Sequence, residues 1–271
     1  EMFFKSYSEK LWGIPCSELD ADFAAQRIKK FSLGGAVLNA VGLGRGRHAT
    51  LVEQFEHPVG GTGMIYERMA AAIRQKGGTV NLSAPVSGIT ADGAGLRFPD
   101  GCVEAFDHIV STMPLTLMVK SLPDIPQEVE QALAKLAYRN TILVYLRVNK
   151  TSLFPDQWLY VQSPELRLGR VTNFRNWGEE LHAGSDDTIL ALEYWCDAED
   201  PVWTSGDDDL IALGTGELRQ TGLLHGAEVL EGHVIRLPRC YPVYRAGYKQ
   251  WLAPVIGHLR KLPRVTAIGR Y

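Results

Sequence analysis

The chain has 271 residues, 45% of them hydrophobic and 22% charged, with a formal net charge of -3 and a pI near 6.2. That length holds one large domain or two modest ones around a substantial core. The charge balance excludes a basic stripe for nucleic acid and an acidic solvated tail, and no apolar run approaches the roughly 20 residues that span a bilayer.

In chain order, residues 1–56 read as helical and loop-rich. Asp20 can cap a helix whose apolar positions Ala24, Ile28 and Phe31 share a face, and "GLGRGRH" at 42–48 follows as a basic loop. Thr62 is the N-cap of a helix with Ile65, Met69, Ala72 and Ile73 on one face, ended by Gly77 and Gly78. Short strands are expected at 79–82 and 86–89, then two more around the turn Pro99-Asp100-Gly101, then one at Ile109-Val110. Pro126 sits at the first turn of a helix that buries Val129, Leu133 and Leu136. Strands follow at 141–148, 158–161, 169–174 and 188–195. Ser205 and the run Asp207–Asp209 start a helix that reaches Thr221, its acidic residues favoured by the helix dipole rather than by a metal. Residues 232–244 return to strand, "QWLAPVIGHLRKL" holds a helix broken or started by Pro254, and Val265, Ala267 and Ile268 form a last buried strand. The pattern is α+β.

Several chemistries are absent from the pattern. The four cysteines, Cys16, Cys102, Cys196 and Cys240, form no Cys-x-x-Cys pair, which suits reduced thiols in a cytoplasmic protein. The seven histidines show no metal-ligand spacing. No G-x-S-x-G elbow occurs, and neither Gly42-Leu-Gly44-Arg-Gly46 nor Gly61-Thr-Gly63 completes a dinucleotide fingerprint. Aromatics with arginines at strand ends ("NFRNW", "EYWC" and "YPVYRAGY") suit an apolar ring bearing an anionic group.

The stretches "HPVGGTGMIYERMAAAIRQKGGTVNLSAPVSGI", "DHIVSTMP", "YPVY" and "VTAIGRY", in that order, resemble the flavin-containing amine oxidase and protoporphyrinogen oxidase-like superfamily. The opening "YSEKLWGIPCSELDADFAAQRIKKFSL", with "LFPDQWLYVQSPELRLGRVTNFRNW" and "LALEYWCDAEDPVW", is similar to its UDP-galactopyranose mutase-like or phytoene-desaturase-like branch. The resemblance implies a partial FAD/NAD(P)-binding Rossmann-like domain plus a mixed-sheet and helix substrate domain. It places the helical part of the substrate domain at 1–56, the central flavin-domain segment at 57–113, the substrate-binding domain at 114–263 and the start of a last flavin-domain segment at 264–271. It also implies that Gly60 and Gly61 approach the flavin ring, Val86 the adenine through its backbone, Thr112 and Met113 the cofactor as the chain leaves the domain, and Gly269 and Arg270 the C-terminal flavin motif. The sheet that would roof the flavin supplies Arg175, Trp177, Tyr194, Tyr241 and Tyr244 as a substrate pocket. For a true mutase the resemblance implies arginines on a diphosphate, with Arg45, Arg47 and Arg175 available. No general base is assigned, because the flavin carries the chemistry.

The expectation is therefore a fragment of an FAD-dependent oxidoreductase or mutase-like flavoprotein acting on a small organic molecule by hydride transfer, or by ring contraction through reduced flavin. The glycine fingerprint would lie in a first segment that this chain lacks. As an isolated chain it is expected to be inactive, without FAD, and to expose an apolar surface that favours a homodimer. The alternative is a flavin-free binding module on the same scaffold.

Overall fold

The computed structural model describes residues 5–21, 56–182 and 184–268. The helix expected at Ala24–Phe31, the loop at 42–48 with Arg45 and Arg47, and the flavin-motif residues Gly269 and Arg270 lie outside the described residues. In chain order the elements are α1 (Lys5–Trp12), α2 (Gly63–Gln75), β1 (Gly88–Ile89), β2 (Gly95–Arg97), β3 (Val103–Ala105), β4 (Ile109–Ser111), α3 (Leu115–Lys120) and α4 (Gln127–Leu133). Then come β5 (Tyr138–Val148), β6 (Trp158–Tyr160), β7 (Arg170–Asn173), β8 (Thr188–Cys196), α5 (Pro201–Thr204), α6 (Asp207–Gln220), β9 (Val229–Pro242), α7 (Tyr248–Leu259) and β10 (Val265–Ala267). The architecture is α+β, as the sequence pattern implies.

The largest sheet is antiparallel, in the order β6-β7-β8-β5-β9. Alternation along its strands separates two faces. Ile142, Val144, Leu146 and Val148 of β5 and Leu190, Leu192, Tyr194 and Cys196 of β8 point to one side, where Leu210 and Leu218 of α6 close the core. Full burial of each such apolar side chain contributes about 1.5–3 kcal/mol, so this face fixes the register of the whole sheet. Asp207, Asp208 and Asp209 lie in the first turn of α6, and Asp207 accepts from Arg236 at 2.6 Å. The N-cap is Gly206 rather than Ser205, whose hydroxyl instead donates to the Pro201 carbonyl.

The second lobe holds the antiparallel meander β1-β2-β3 and a parallel pair, β4 with β10. Met118 and Val119 of α3, Val129 and Leu133 of α4, Val255 and Leu259 of α7, Ile109 and Val265 make its core. Helix α7 runs from Tyr248 straight through Pro254, so the proline neither starts nor breaks it. The cost of the missing N–H is offset by the burial of Val255 and Leu259 on either side of the following turn. Residues 79–82 pair with nothing among the described residues, so the strand expected there is not formed. In β10 only Val265 is buried, whereas Ala267 and the following Ile268 are exposed.

Helix α2 begins after Thr62 and is followed by Gly77 at φ +83°, as the sequence suggests. Its apolar stripe is uncovered among the described residues: Ile65, Met69 and Ile73 are all exposed. Val110 on β4 and Ile268 just past β10 are exposed as well. An amphipathic helix and a parallel strand pair that both show apolar side chains to solvent mark a surface built to be covered.

Candidate functional site: the open face of the large sheet

The face of the large sheet turned away from α6 is a grid set by strand register. Its central row reads Tyr160, Arg170, Glu193, Leu143 and Ile235 across β6, β7, β8, β5 and β9. The row toward the β7–β8 connection reads Trp158, Thr172, Ala191, Tyr145 and His233. On the other side stand Trp195, Thr141 and Leu237. Tyr160, Ile235 and Leu237 of this grid are exposed.

A charged pair sits in the middle. Arg170 Nε donates to Glu193 Oε1 at 2.7 Å and Nη2 donates to the same oxygen. The Glu193 side chain is 9% exposed and that of Arg170 30%. Burial pushes the Glu193 carboxyl above its ordinary value, and Arg170 pulls it back only in part. Tyr7 of α1 packs edge-on against Tyr160 at 4.7 Å and Trp195 at 5.4 Å. Burial, with Tyr160 beside it, raises the Tyr7 hydroxyl well above the usual phenol range, and burial raises that of Tyr145 as well. The phenols therefore stay neutral. Tyr241 is close enough to be felt electrostatically by both Tyr7 and Arg170.

Two devices hold this face in place. Lys10 of α1 donates to the carbonyls of Val161 and Leu168, both at 3.0 Å, and Ser6 donates to the Gln162 carbonyl. Arg139 caps the C-terminal end of α1, donating to the Lys10 and Leu11 carbonyls and to Trp195 O. Gly169 is required beneath Trp195, because a Cβ there would sit 2.0 Å from the indole ring.

The residues singled out in the sequence fall into separate places. Trp177 stacks on Trp158 at 5.7 Å and meets His57 edge-on at 5.1 Å, while Arg175 donates to the carbonyls of Ser185 and Asp187. Next to them is the Gly60-Gly61 turn, with φ of +84° and +88°. Gly60 N lies 3.4 Å from Glu180 Oε1, and a Cβ on Gly61 would touch Leu181. Tyr241 and Tyr244 stand at the opposite end of the sheet, both edge-on to Trp12. Tyr194 does not reach this face: it is 1% exposed in the α6 core, where burial, then Glu217, raises its hydroxyl. Its neighbours Glu193 and Trp195 occupy the open face instead. Val86 is half-buried ahead of β1, and Thr112 and Met113 are exposed just past β4.

Comparison with known proteins assigns the architecture. The sequence profile described as flavin containing amine oxidoreductase matches residues 1–229. The chain belongs to that family. Its fold is similar to that of reduced UDP-galactopyranose mutase, with a TM-score of 0.76, 19% identity and coverage of 97% of this chain and 57% of that one. It is also similar to a protein described as a protoporphyrinogen oxidase from Exiguobacterium sp. 255-15, with a TM-score of 0.60, 19% identity and coverage of 77% and 46%. A redesigned putrescine oxidase aligns with a TM-score of 0.54, 15% identity and coverage of 77% and 47%. The chain thus spans about half the length of these solved structures. Among the described residues no helix is long and apolar enough to cross a membrane.

Proposed function

We propose that this chain contributes the substrate-binding lobe and the central flavin-domain segment of an FAD-dependent oxidoreductase, and that the open face of the large sheet roofs the substrate over the flavin. The observation that carries this reading is the placement of the Gly60-Gly61 turn beside the Trp158–Trp177 end of that face. Two successive residues at positive φ, with only Met64 and Leu181 among the described residues near the positions their Cβ atoms would take, present backbone against which a planar ring system can lie. The residues present fit the ring side of FAD. Gly60 and Gly61 would hold one flank, Thr112 and Met113 the passage beside β4, and Val86 the adenine through its main chain. The chemistry FAD supplies when bound is acceptance of a hydride from the substrate.

The residues of this chain then bind and orient. Trp158, Trp177 and Tyr145 give a flat aromatic surface, Leu143, Ile235 and Leu237 an apolar one, and the Arg170–Glu193 pair a fixed polar point between them. Tyr7 and Tyr160 shield that point from water. The pyrophosphate needs a glycine-rich turn at a helix N-terminus, which we assign to chain outside these 271 residues. The uncovered stripe of α2, with Val110 and Ile268, is the surface that such a segment would pack against. Nothing among the described residues covers it, and we propose that in the isolated chain a second copy docks there.

The test is the colour of the gene-length protein. Purified without added cofactor, it is expected to be yellow and to release FAD on heating. A colourless, folded gene-length protein that takes up no FAD would overturn the reading and leave the flavin-free module in its place.

A further inference from the structure

We infer that the open face selects an electrically neutral, hydroxyl-bearing ring compound, and discriminates against amines and against carboxylates or phosphates of the same shape. The inference rests on the proposed use of this face as the substrate roof, and it names the class of substrate.

Among the described residues on the three rows of the grid, the only arginine and the only carboxylate are Arg170 and Glu193, and they neutralise each other in direct contact. Among the described residues the other charged groups around the face are engaged elsewhere, Lys10 with the Val161 and Leu168 carbonyls. Arg147 pairs with Asp187 at 2.9 Å and Glu231 at 3.2 Å, Arg139 with Asp197 at 2.7 Å, and Arg175 is turned to two carbonyls. Arg239 leaves the face to donate to Thr116 Oγ1 at 2.9 Å on α3. An anionic or cationic head placed on the central row would meet attraction from one member of the pair and repulsion from the other, while losing its own hydration.

Hydrogen bonding then narrows the class. Both bonds from Arg170 end on Glu193 Oε1, so among the described residues Arg170 Nη1 has no acceptor and Glu193 Oε2 no donor. One open donor beside one open acceptor matches a hydroxyl, which can accept and donate at once. In the neighbouring row, Thr141 is 3% exposed and its buried hydroxyl has no hydrogen-bond partner among the described residues. A buried hydroxyl without a partner beside this pair is the kind of group a ligand satisfies. The flanking surfaces, Trp158 and Tyr145 on one side and Leu143, Ile235 and Leu237 on the other, suit an apolar or aromatic body.

The test uses three probes on one frame, 2-phenylethanol, phenylacetate and 2-phenylethylamine, titrated into the 271-residue chain at pH 7.5 and followed by tryptophan fluorescence. The wild-type chain is expected to bind 2-phenylethanol about tenfold more tightly than either charged probe. Glu193→Gln, which leaves Arg170 uncompensated, should move the preference to phenylacetate by about tenfold. Arg170→Gln should move it to 2-phenylethylamine. The double variant Arg170→Gln/Glu193→Gln keeps the face neutral and restores the preference for the alcohol, which guards against a single variant that fails to fold. A wild-type preference for either charged probe, equal binding of all three, or no measurable binding of any would overturn the inference. No flavin is present, so failure here and failure to take up FAD are separate results.

Discussion

Glu217 of α6 is predicted to hold the open face in place from behind. Its carboxylate lies in the core and accepts from the backbone amides of Arg167 at 2.7 Å and Leu168 at 2.8 Å. Those residues lead directly into Gly169, the position beneath Trp195. Glu217→Ala removes both charge-assisted bonds and leaves two amides facing a cavity. At about 1.5–3 kcal/mol for each bond to a charged group, and with a gain of a few tenths from the helix propensity of Ala, the loss should be about 3–5 kcal/mol. Glu217→Gln keeps one acceptor but turns an amide donor toward the other backbone N–H, so about half of that loss is expected. Urea denaturation of the three proteins measures this as a fall in midpoint at unchanged slope. Near-ultraviolet circular dichroism should show the Trp195 environment relaxing in the alanine variant before global unfolding. If Glu217→Ala lies within about 0.5 kcal/mol of wild type, a value ordinary for an exposed surface change, the anchoring argument is wrong.

Three further outcomes are expected. Arg239 occupies φ +55° in the bulge opposite Asn140, whose side chain accepts its amide at 2.9 Å; Arg239→Gly should cost less than about 1 kcal/mol because relief of the left-handed backbone offsets the lost Thr116 bond, whereas Arg239→Val should cost about 2 kcal/mol more, and equal midpoints in urea would refute the strain. Burial pushes the Cys196 thiol up to about 11, so at pH 8 an aromatic disulfide reagent should label the exposed Cys102 at once and Cys196 only after unfolding; prompt labelling of Cys196 would contradict its placement in the α6 core. Tyr7 and Tyr194 are held neutral in the folded chain, so the stability they contribute is complete below the unfolded phenol value of about 10 and is lost as pH climbs above it; Tyr7→Phe should flatten the fall in urea midpoint between pH 9 and 11, and an unchanged slope would rule Tyr7 out as a contributor.

Local patterning made the strands of the large sheet legible. Alternation in "TILVYLRV" and "TILALEYW" names both elements, and the apolar stripe of α2 names the right helix. What alternation alone leaves open is which parity faces which side. Tyr194 attracts attention as an aromatic at a strand end, yet register with Ile142 sends it into the α6 core and puts Glu193 and Trp195 on the open face. The Arg170–Glu193 pair escapes a linear reading because the two residues are 23 positions apart and become partners only through cross-strand register. A signal was present: two strands, "GRVTN" and "LALEYW", each carry one charge among apolar residues, and opposite charges on neighbouring strands favour facing each other. Tyr7 is similarly invisible, since nothing in α1 marks it for contact with β6. The expected strand at 79–82 fails for a simpler reason, because β-propensity without a partner strand stabilises nothing.

The central claim is that the flavin ring is received by this chain while its pyrophosphate is held by chain outside it. Titrating FAD side by side into the 271-residue chain and the gene-length protein, with absorbance and flavin fluorescence as readouts, tests that division directly. Saturable binding with a shifted flavin spectrum is expected for the gene-length protein and none for the 271-residue chain. Saturable binding by the 271-residue chain alone, or by neither protein, would contradict that division.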